Sequence, residues 1–387
     1  MTSPLSLYLH IPFCQTKCTY CAFNAYANLD TLIEPFVQAL VKEIEIVGSC
    51  IPQQVLGTVY LGGGTPSLLT PRQSERILAA IHRRFVVPFG VEITLEANPN
   101  DLDFAYLSDL HSLGVNRLSI GMQSANGSEL ALFARRHDHD AVVRAVTFAR
   151  RAGFDNLSLD LIYGFPLQTM ESWKASFQQL LALQPDHTSL YALGLEEGTP
   201  MAEWVSIGRL PAPDDDLAAD MYDMATELLD RAGYEQYEIS NWSKRGFESR
   251  HNLQYWRNLP YAGLGPGAHG YAAGVRYRTV LSPRKYIALL ETANGSFEFP
   301  YSPATDEAVI VDREGEMAET LIMSLRLTRE GVQRSAFAAR FGVDLVDLYG
   351  PIIDRYVQQE LLYVDERVVR LTQRGRLLSN VVFREFV

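Results

Sequence analysis

The stretch HIPFCQTKCTYCAF, residues 10–23, places three of the four cysteines of this 387-residue chain within eight positions, at Cys14, Cys18 and Cys21. An apolar run, LSLYLHI, leads into it, so the cysteines lie on a loop that follows a predicted strand. Clustered thiols in a chain with so few cysteines indicate a metal site rather than a disulfide framework. The spacing C-x3-C-x2-C therefore predicts three thiolate ligands on one tight loop.

The number of cysteines limits which metal the loop can hold. A closed structural zinc site takes four protein ligands, and no second pair of cysteines or histidines follows nearby. His10 is a candidate for the fourth ligand, although it lies on the strand before the loop. An iron–sulfur cluster of four irons normally takes four thiolates, and a cluster held by three keeps one iron open. The residues alone leave both sites possible.

The first two hundred residues alternate strand patterns with helical patterns. Predicted strands cover 5–11, 57–63, 91–98, 116–123, 156–164 and 187–195, and predicted helices cover 33–47, 71–85, 104–114, 141–153 and 170–183. Such alternation is typical of parallel sheets, and six units favour an α/β fold, a partial (β/α)6 barrel, over a doubly wound sheet. The motifs HIPFC, GGGTP, EANP, GMQS, LIYGFP and LGLEEGTP all stand at strand ends, where barrel enzymes carry their functional groups.

The remaining chain predicts two further parts. We expect a barrel domain over 1–235, which ends with a helix at 214–233, then a segment at 236–300 that packs on the barrel. The Tyr-, Gly- and Asn-rich stretch 234–283 predicts irregular structure. Residues 301–387 predict a small helical domain with a β-wing, similar to a winged helix.

Composition narrows the function classes. The net charge is −12, with 47% apolar and 21% charged residues, so a general nucleic-acid footprint is missing and no nucleic-acid partner is expected. The N-terminus lacks the basic and apolar regions of a signal peptide, and no apolar run approaches a membrane span. We expect a cytoplasmic protein.

The cysteine motif, taken with the strand-end motifs, resembles the radical S-adenosylmethionine (SAM) superfamily. The segments LYLHIPFC, YLGGGTPS, LEANP, GMQS, DLIYGFPLQT, HNLQYW and GLGPGAHG are similar to the branch that contains the oxygen-independent coproporphyrinogen III oxidase HemN and the heme chaperone HemW. The resemblance implies a [4Fe-4S] cluster on Cys14, Cys18 and Cys21, with SAM on the open iron. In that superfamily the reduced cluster passes one electron to the sulfonium, which gives a 5′-deoxyadenosyl radical.

The same resemblance implies which residues hold SAM. Glycine lets a ligand approach the backbone closely, and a guanidinium suits a carboxylate. The implied contacts are Gly63, Gly64 and Thr65 beside the methionine amino group, Gln123 and Arg135 on the ribose and methionine carboxylate, and Tyr8 near the adenine. Glu96 and Asp160 are two carboxyl groups that would also contact the cofactor. Tyr20 and Phe23 would shield the cluster or the adenine.

Two features separate chaperone from oxidase within the branch. HemN-type oxidases carry a further cysteine two positions after the third, where this chain has Phe23, and a longer extension before the cluster. The motif H-N-x-x-Y-W, residues 251–256, is a signature of HemW and implies heme ligation by His251, with His269 as a weaker second candidate. Ala22 stands where many HemW-like sequences have Asp.

The resemblance favours a heme chaperone that binds the cluster, SAM and heme and transfers heme to acceptor proteins, without coproporphyrinogen oxidase activity. The alternative is a radical SAM enzyme that acts on a tetrapyrrole, as a heme-degrading methyltransferase or a divergent coproporphyrinogen III oxidase. A structural zinc or iron–sulfur protein without SAM is a third, more distant reading. The expected partners are heme, heme-acceptor proteins and an electron donor, and peripheral membrane association and a homodimer are compatible with this function.

Overall fold

The structure, a computed structural model, describes residues 4–386. The strands are β1 (Leu5–Ile11), β2 (Phe13–Cys14), β3 (Tyr26–Ala27), β4 (Leu56–Gly63), β5 (Glu92–Ala97), β6 (Arg117–Gln123), β7 (Leu157–Tyr163), β8 (His187–Ala192), β9 (Glu235–Glu238), β10 (Asn241–Ser243), β11 (Tyr261–Leu264), β12 (His269–Ala272), β13 (Val275–Thr279), β14 (Thr305–Ile310), β15 (Val332–Gln333), β16 (Leu362–Val364) and β17 (Val368–Leu371).

The helices alternate with these strands through the first half of the chain. They are α1 (Ile33–Cys50), α2 (Pro71–Arg84), α3 (Phe104–Ser112), α4 (Gly127–Leu132), α5 (His139–Arg151), α6 (Met170–Ala182), α7 (Pro200–Ser206), α8 (Asp215–Arg231), α9 (Arg250–Trp256), α10 (Pro283–Thr292), α11 (Arg313–Leu325), α12 (Arg334–Phe341), α13 (Leu345–Gln358), α14 (Gln373–Leu377) and α15 (Ser379–Phe383). The six predicted strands and the predicted helices of this half are confirmed, with ends that differ by at most three residues.

The described chain divides into two compact units. The first comprises the residues up to Ala225 together with Pro260–Val309, and the second comprises Thr226–Leu259 and the residues from Ile310 onward. The two units are defined by which residues lie close together in space, whereas the predicted boundaries after residues 235 and 300 are defined by changes in the sequence pattern. The three-part division of the sequence stays a prediction.

The first unit is built on an open sheet. Its strand order is β14-β13-β12-β11-β1-β4-β5-β6-β7-β8, and the pairs from β1 to β8 are parallel. Because β1 and β8 are not neighbours, the six βα units form a partial barrel, which confirms the predicted fold class. The carboxyl ends of these six strands meet at one edge of the sheet.

Successive residues of the parallel strands point alternately to an apolar face and to a largely polar face of the sheet. Leu7, Leu61, Leu95, Ile120 and Leu161 are fully buried, and successive strand residues point to opposite faces of a sheet. The residues between them are largely polar and occupy the other face. A parallel strand buried on both faces would be apolar throughout, so this alternation marks one face of the sheet as the lining of a polar site.

Local sequence fixes where the helices begin. Thr70 and Thr169 form capping boxes with Gln73 and Ser172 at the starts of α2 and α6. Asp138 accepts a hydrogen bond from Ala141 N at 2.8 Å and caps α5. Each cap satisfies backbone N–H groups that have no partner within their own helix.

Within the first unit, a buried carboxyl group on α1 binds the segment 260–309 through hydrogen bonds. Glu43 on α1 accepts hydrogen bonds from Gly265 N at 2.8 Å, from Tyr286 Oη at 2.6 Å and from Ser302 Oγ at 2.5 Å. Burial raises the pKa of this carboxyl group, and the three hydrogen bonds oppose that shift. These donors join three separate parts of the segment to one side chain of α1.

The stretch 234–283 corrects the expectation of irregular structure. It contains β9 to β13 and α9, each three to seven residues long. Elements this short carry too few residues for a periodic pattern to stand out. In the first unit, β11 pairs in parallel with β1, and β12 and β13 follow as antiparallel strands.

The second unit has the predicted helical domain with a wing. Helices α11 to α15 surround a core that includes Leu321, Phe337, Leu345, Ile353 and Val382, and the wing is the sheet β15-β17-β16. Across residues 4–386, no helix is both long and apolar enough to cross a bilayer.

Candidate functional site

All three clustered cysteines line one cavity of about 450 Å³ at the carboxyl end of the parallel strands. Cys21 N donates a hydrogen bond to Cys18 O at 3.2 Å, so these two residues share a turn. Between them, Thr19 Oγ1 donates to Leu132 O at 2.7 Å and holds the turn against the last residue of α4. The fourth cysteine, Cys50, lies on α1, outside the lining of this cavity.

His10 and Asn24 hold the chain in place directly after the cysteine loop. His10 Nε2 lies 3.0 Å from Asn24 O, and His10 Nδ1 lies 3.0 Å from Tyr8 Oη. Asn24 Nδ2 in turn donates to Pro266 O at 2.9 Å and to Leu281 O at 3.0 Å. Because both ring nitrogens of His10 have protein partners, His10 is not placed as a fourth metal ligand.

The thiols of the cavity lie beside groups that stabilise a thiolate. Burial raises the pKa of Cys14 and Cys21, which disfavours the ionised form that binds metal. Thr65 Oγ1 donates to Cys14 Sγ at 3.4 Å, and Arg135 Nη1 donates to Cys18 Sγ at 3.5 Å. The metal ions of a bound cluster would shift the balance toward the thiolates.

The donor set fits a cluster better than a single ion. Among residues 4–386, no three His, Cys, Asp or Glu side chains converge as ligands of one metal ion. A four-iron cluster takes one thiolate on each liganded iron, so its ligands stand further apart. Three cysteines around one cavity fit that requirement, and one iron of such a cluster would have no cysteine ligand.

The glycine-rich end of β4 packs closely against β1. Gly63 has φ +108°, and a Cβ there would lie 2.5 Å from the ring of His10. A Cβ on Gly64 would lie 2.6 Å from Phe13 O, and Gly64 N donates to Ile11 O at 2.8 Å. These two glycines, with Thr65, line the cavity. Close strand packing therefore requires the glycines, in addition to the ligand approach predicted from the motif.

Glu96 lies in the cavity at the end of β5. Its carboxyl oxygens accept from Tyr60 Oη at 2.8 Å and from Gly63 N at 3.1 Å. Burial raises the pKa of Glu96 to about 7, the charge of Asp160 adds to this rise, and the two hydrogen bonds oppose it. The side chain therefore titrates near neutral pH.

Asp160 is the second carboxyl group of the cavity and lies on β7. It accepts hydrogen bonds from Ser119 Oγ at 2.9 Å and from Ser158 Oγ at 3.0 Å. Burial raises its pKa, while these serines and the charge of Arg117 oppose the rise. Two carboxyl groups in one cavity make a site that suits a cationic ligand.

Gln123 and Arg135 complete the group of predicted SAM contacts. Arg135 Nη2 donates to Gly121 O at 3.0 Å, while its Nε is buried and lacks a partner among the described residues. Gln123 Oε1 is likewise buried without a partner in residues 4–386. Buried polar atoms are usually hydrogen-bonded, so these two atoms fit a cavity that takes a polar ligand.

Three predicted aromatic residues differ in their placement. Tyr20 and Phe23 line the cavity, Tyr20 packed edge-on against Phe133 and Phe23 with 69% of its surface exposed. Tyr8 is not part of the lining. It binds His10 and stacks on Tyr60, with ring centres 6.1 Å apart, so it supports the residues that anchor the cysteine loop.

The two heme candidates occupy different units. His251 lies on α9 in the second unit, is fully buried, and has its Nε2 2.8 Å from Tyr255 Oη. His269 begins β12 in the first unit and is exposed. The structure brings neither into the lining of the cavity, whose residues all lie between positions 14 and 196.

Sequence reasoning missed several polar residues of the cavity, some of which support its carboxyl groups. Tyr60, Ser119 and Tyr191 line the cavity, and Ser158 holds Asp160. Ser158 lies two positions before Asp160, on the same face of β7. The alternation of polar residues along LSLDL and HTSLY was the signal that could have identified them.

The chain matches two protein families. The radical SAM superfamily matches residues 8–180, and the HemN C-terminal domain matches residues 311–378. The solved structure of coproporphyrinogen III oxidase (HemN) from Escherichia coli superposes with a TM-score of 0.85 over 99% of this chain and 90% of that one, at 23% identity. The fold is thus the radical SAM fold of the HemN type, with a HemN C-terminal domain.

Curated relatives narrow the class further. The heme chaperone HemW of Lactococcus lactis is 35% identical over 387 residues, which is 100% of this chain and 98% of that protein. The heme chaperone HemW of Bacillus subtilis is 36% identical over 99% of both chains. The chain belongs to the HemW family.

Proposed function

We propose that this protein is a heme chaperone that binds a [4Fe-4S] cluster, SAM and heme and passes heme to acceptor proteins. The observation that carries the proposal is full-length similarity to two proteins named heme chaperone HemW. Phe23, at the position where HemN-type oxidases have a further cysteine, supports a function other than porphyrinogen oxidation.

The cavity offers a place for the cluster and for SAM. Cys14, Cys18 and Cys21 would hold three irons, and a bound cluster would supply an open iron and one-electron chemistry. Glu96 and Asp160 would attract the positive charges of SAM, which carries a sulfonium and an ammonium group. The unpartnered atoms of Gln123 and Arg135 would then gain hydrogen bonds.

The remaining predicted SAM contacts follow from the same placement. Gly63, Gly64 and Thr65 would present backbone and hydroxyl groups to the methionine end of SAM. Tyr8 would act through His10 and Tyr60, since it lies behind the lining of the cavity.

His251 remains the proposed heme ligand. Its imidazole is buried, with Nε2 2.8 Å from Tyr255 Oη, so heme ligation through Nε2 requires that this contact opens. We expect His251→Ala to weaken heme binding in a spectroscopic titration, and His269→Ala is the comparison that tests the second candidate. Unchanged heme affinity in His251→Ala would remove this residue from the heme site.

A transfer assay tests the function directly. Reconstituted protein is incubated anaerobically with SAM, a reductant and either heme or coproporphyrinogen III, and the tetrapyrrole is then analysed by mass spectrometry. We expect unchanged heme that moves to an apo-heme protein such as apomyoglobin. A methylated or decarboxylated product would instead establish the enzyme, and the chaperone proposal would be wrong.

A further inference from the structure

A buried histidine lies directly behind two of the proposed SAM contacts. His137 is 4% exposed and stands immediately before Asp138, the residue that caps α5. It follows Arg135 by two residues, and Arg136 between them forms an ion pair with Asp101 at 3.0 Å. The backbone on both sides of His137 is therefore fixed.

The ring of His137 holds one backbone carbonyl group. Its Nε2 lies 3.0 Å from Met122 O, and since a carbonyl oxygen only accepts, the proton is on Nε2. Nδ1 is buried without a partner among the described residues. Burial, with the charge of Arg135 next, lowers the pKa of His137 to about 4, so the ring is neutral at physiological pH.

Met122 precedes a residue with an unusual backbone conformation. Gln123 has φ +63°, a region that costs a residue with a side chain on the order of 1–3 kcal/mol unless its surroundings hold it there. The pairing of β6 with β7 shifts register between Ile120 and Gln123. Met122 O accepts from Ser124 N at 2.8 Å as well as from His137, which closes the tight turn around Gln123.

Two cross-links therefore join the segment before α5 to the end of β6. Arg135 Nη2 binds Gly121 O at 3.0 Å, and His137 Nε2 binds Met122 O at 3.0 Å. The side chain of Gln123 lies beside that of Arg135 at this point, since a Cβ on Gly121 would lie 2.8 Å from Gln123 Nε2 and 2.9 Å from Arg135 Nη2. The distance between these two side chains depends on both cross-links.

We propose that His137 is a positioning residue for SAM, which holds Gln123 and Arg135 in the geometry that binds the cofactor through its hydrogen bond to Met122 O. The inference rests on the proposed SAM site. His137 does not line the cavity, so it acts through the backbone turn and not by touching SAM.

The test compares variants that keep or remove the N–H donor. His137→Phe keeps a planar ring without a donor, His137→Leu is a second variant without one, and His137→Gln keeps an N–H group. His82→Leu is the matched control, since His82 is exposed in the last turn of α2. Iron content, thermal stability and SAM affinity, measured by equilibrium dialysis on cluster-loaded protein, are compared for all four.

We expect His137→Phe or His137→Leu to bind SAM about 10-fold more weakly with normal iron content, the cost of about one well-made hydrogen bond. His137→Gln should stay within about 3-fold of the unchanged protein, and His82→Leu should match it. Amide exchange of residues 121–125 without SAM should quicken in the variants that lack the donor and not in His137→Gln.

Three outcomes would overturn the proposal. The first is full SAM affinity in both variants that lack the donor. The second is a loss of SAM affinity in His137→Gln as large as in those two variants. The third is amide exchange of residues 121–125 that no variant alters. A failure of the unchanged protein to bind SAM would instead refute the cofactor site, and the exchange data would still show whether His137 fixes the turn. If neither donor-free variant folds, restored folding in His137→Gln without restored SAM affinity also overturns the proposal.

Discussion

The affinity for SAM should rise between pH 6 and pH 8, because Glu96 titrates in this range. Burial raises its pKa to about 7, so the carboxyl group is mostly protonated at pH 6 and mostly ionised at pH 8. A cationic ligand favours the ionised form. If only that form binds, the ratio of ionised fractions gives an affinity gain of about 10-fold between these pH values, or about 1.4 kcal/mol.

The assay is a titration of cluster-loaded protein with SAM at several pH values and constant ionic strength. Glu96→Gln serves as the control, because its amide retains polar atoms toward Tyr60 and Gly63 and does not titrate. The ammonium group of SAM titrates equally for both proteins, so the difference between the two pH profiles isolates Glu96. An identical pH dependence in both proteins, or an affinity that falls with pH only in the unchanged protein, would refute the reasoning.

Three further predictions follow from single contacts. Cys18→Ser should abolish the visible absorption of the cluster, whereas Cys50→Ser should preserve it, and undiminished iron in Cys18→Ser would contradict the ligand set. Glu43→Leu should lower the free energy of unfolding by about 3 kcal/mol, because three buried donors lose their acceptor; a loss under about 0.5 kcal/mol in a denaturant titration would show that water replaces it. Gly64→Ala should reduce thermal stability, because its Cβ would lie 2.6 Å from Phe13 O, and a melting temperature equal to that of the parent would show that the backbone at Phe13 moves aside without loss of stability.

The sequence predicts the partial barrel well because its strands and helices are long and periodic. LSLYLHI and LSLDLIY each become a seven-residue strand, since an apolar face recurs at every second residue. The strand-end motifs identify the cavity for a related reason: the carboxyl ends of parallel strands meet, so Glu96 and Asp160 are brought together by topology alone.

Contacts between distant segments could not be predicted in the same way. The pairing of Glu43 with Ser302 spans 259 positions, and no periodic pattern links the two residues. His10 presented a similar difficulty, because a histidine before a cysteine loop suits a metal ligand as well as an anchor. Only the positions of Tyr8 and Asn24 decide between these roles.

The anchoring of Asn24 has a consequence for the order of events during synthesis. Its acceptors, Pro266 O and Leu281 O, lie more than 240 positions further along the chain. When the first six βα units have left the ribosome, the cysteine loop still lacks this support, since domains form as their segments become available. Cluster insertion into the finished loop is therefore expected only after the chain has been made past Leu281. A nascent chain stalled before that point should take up iron poorly.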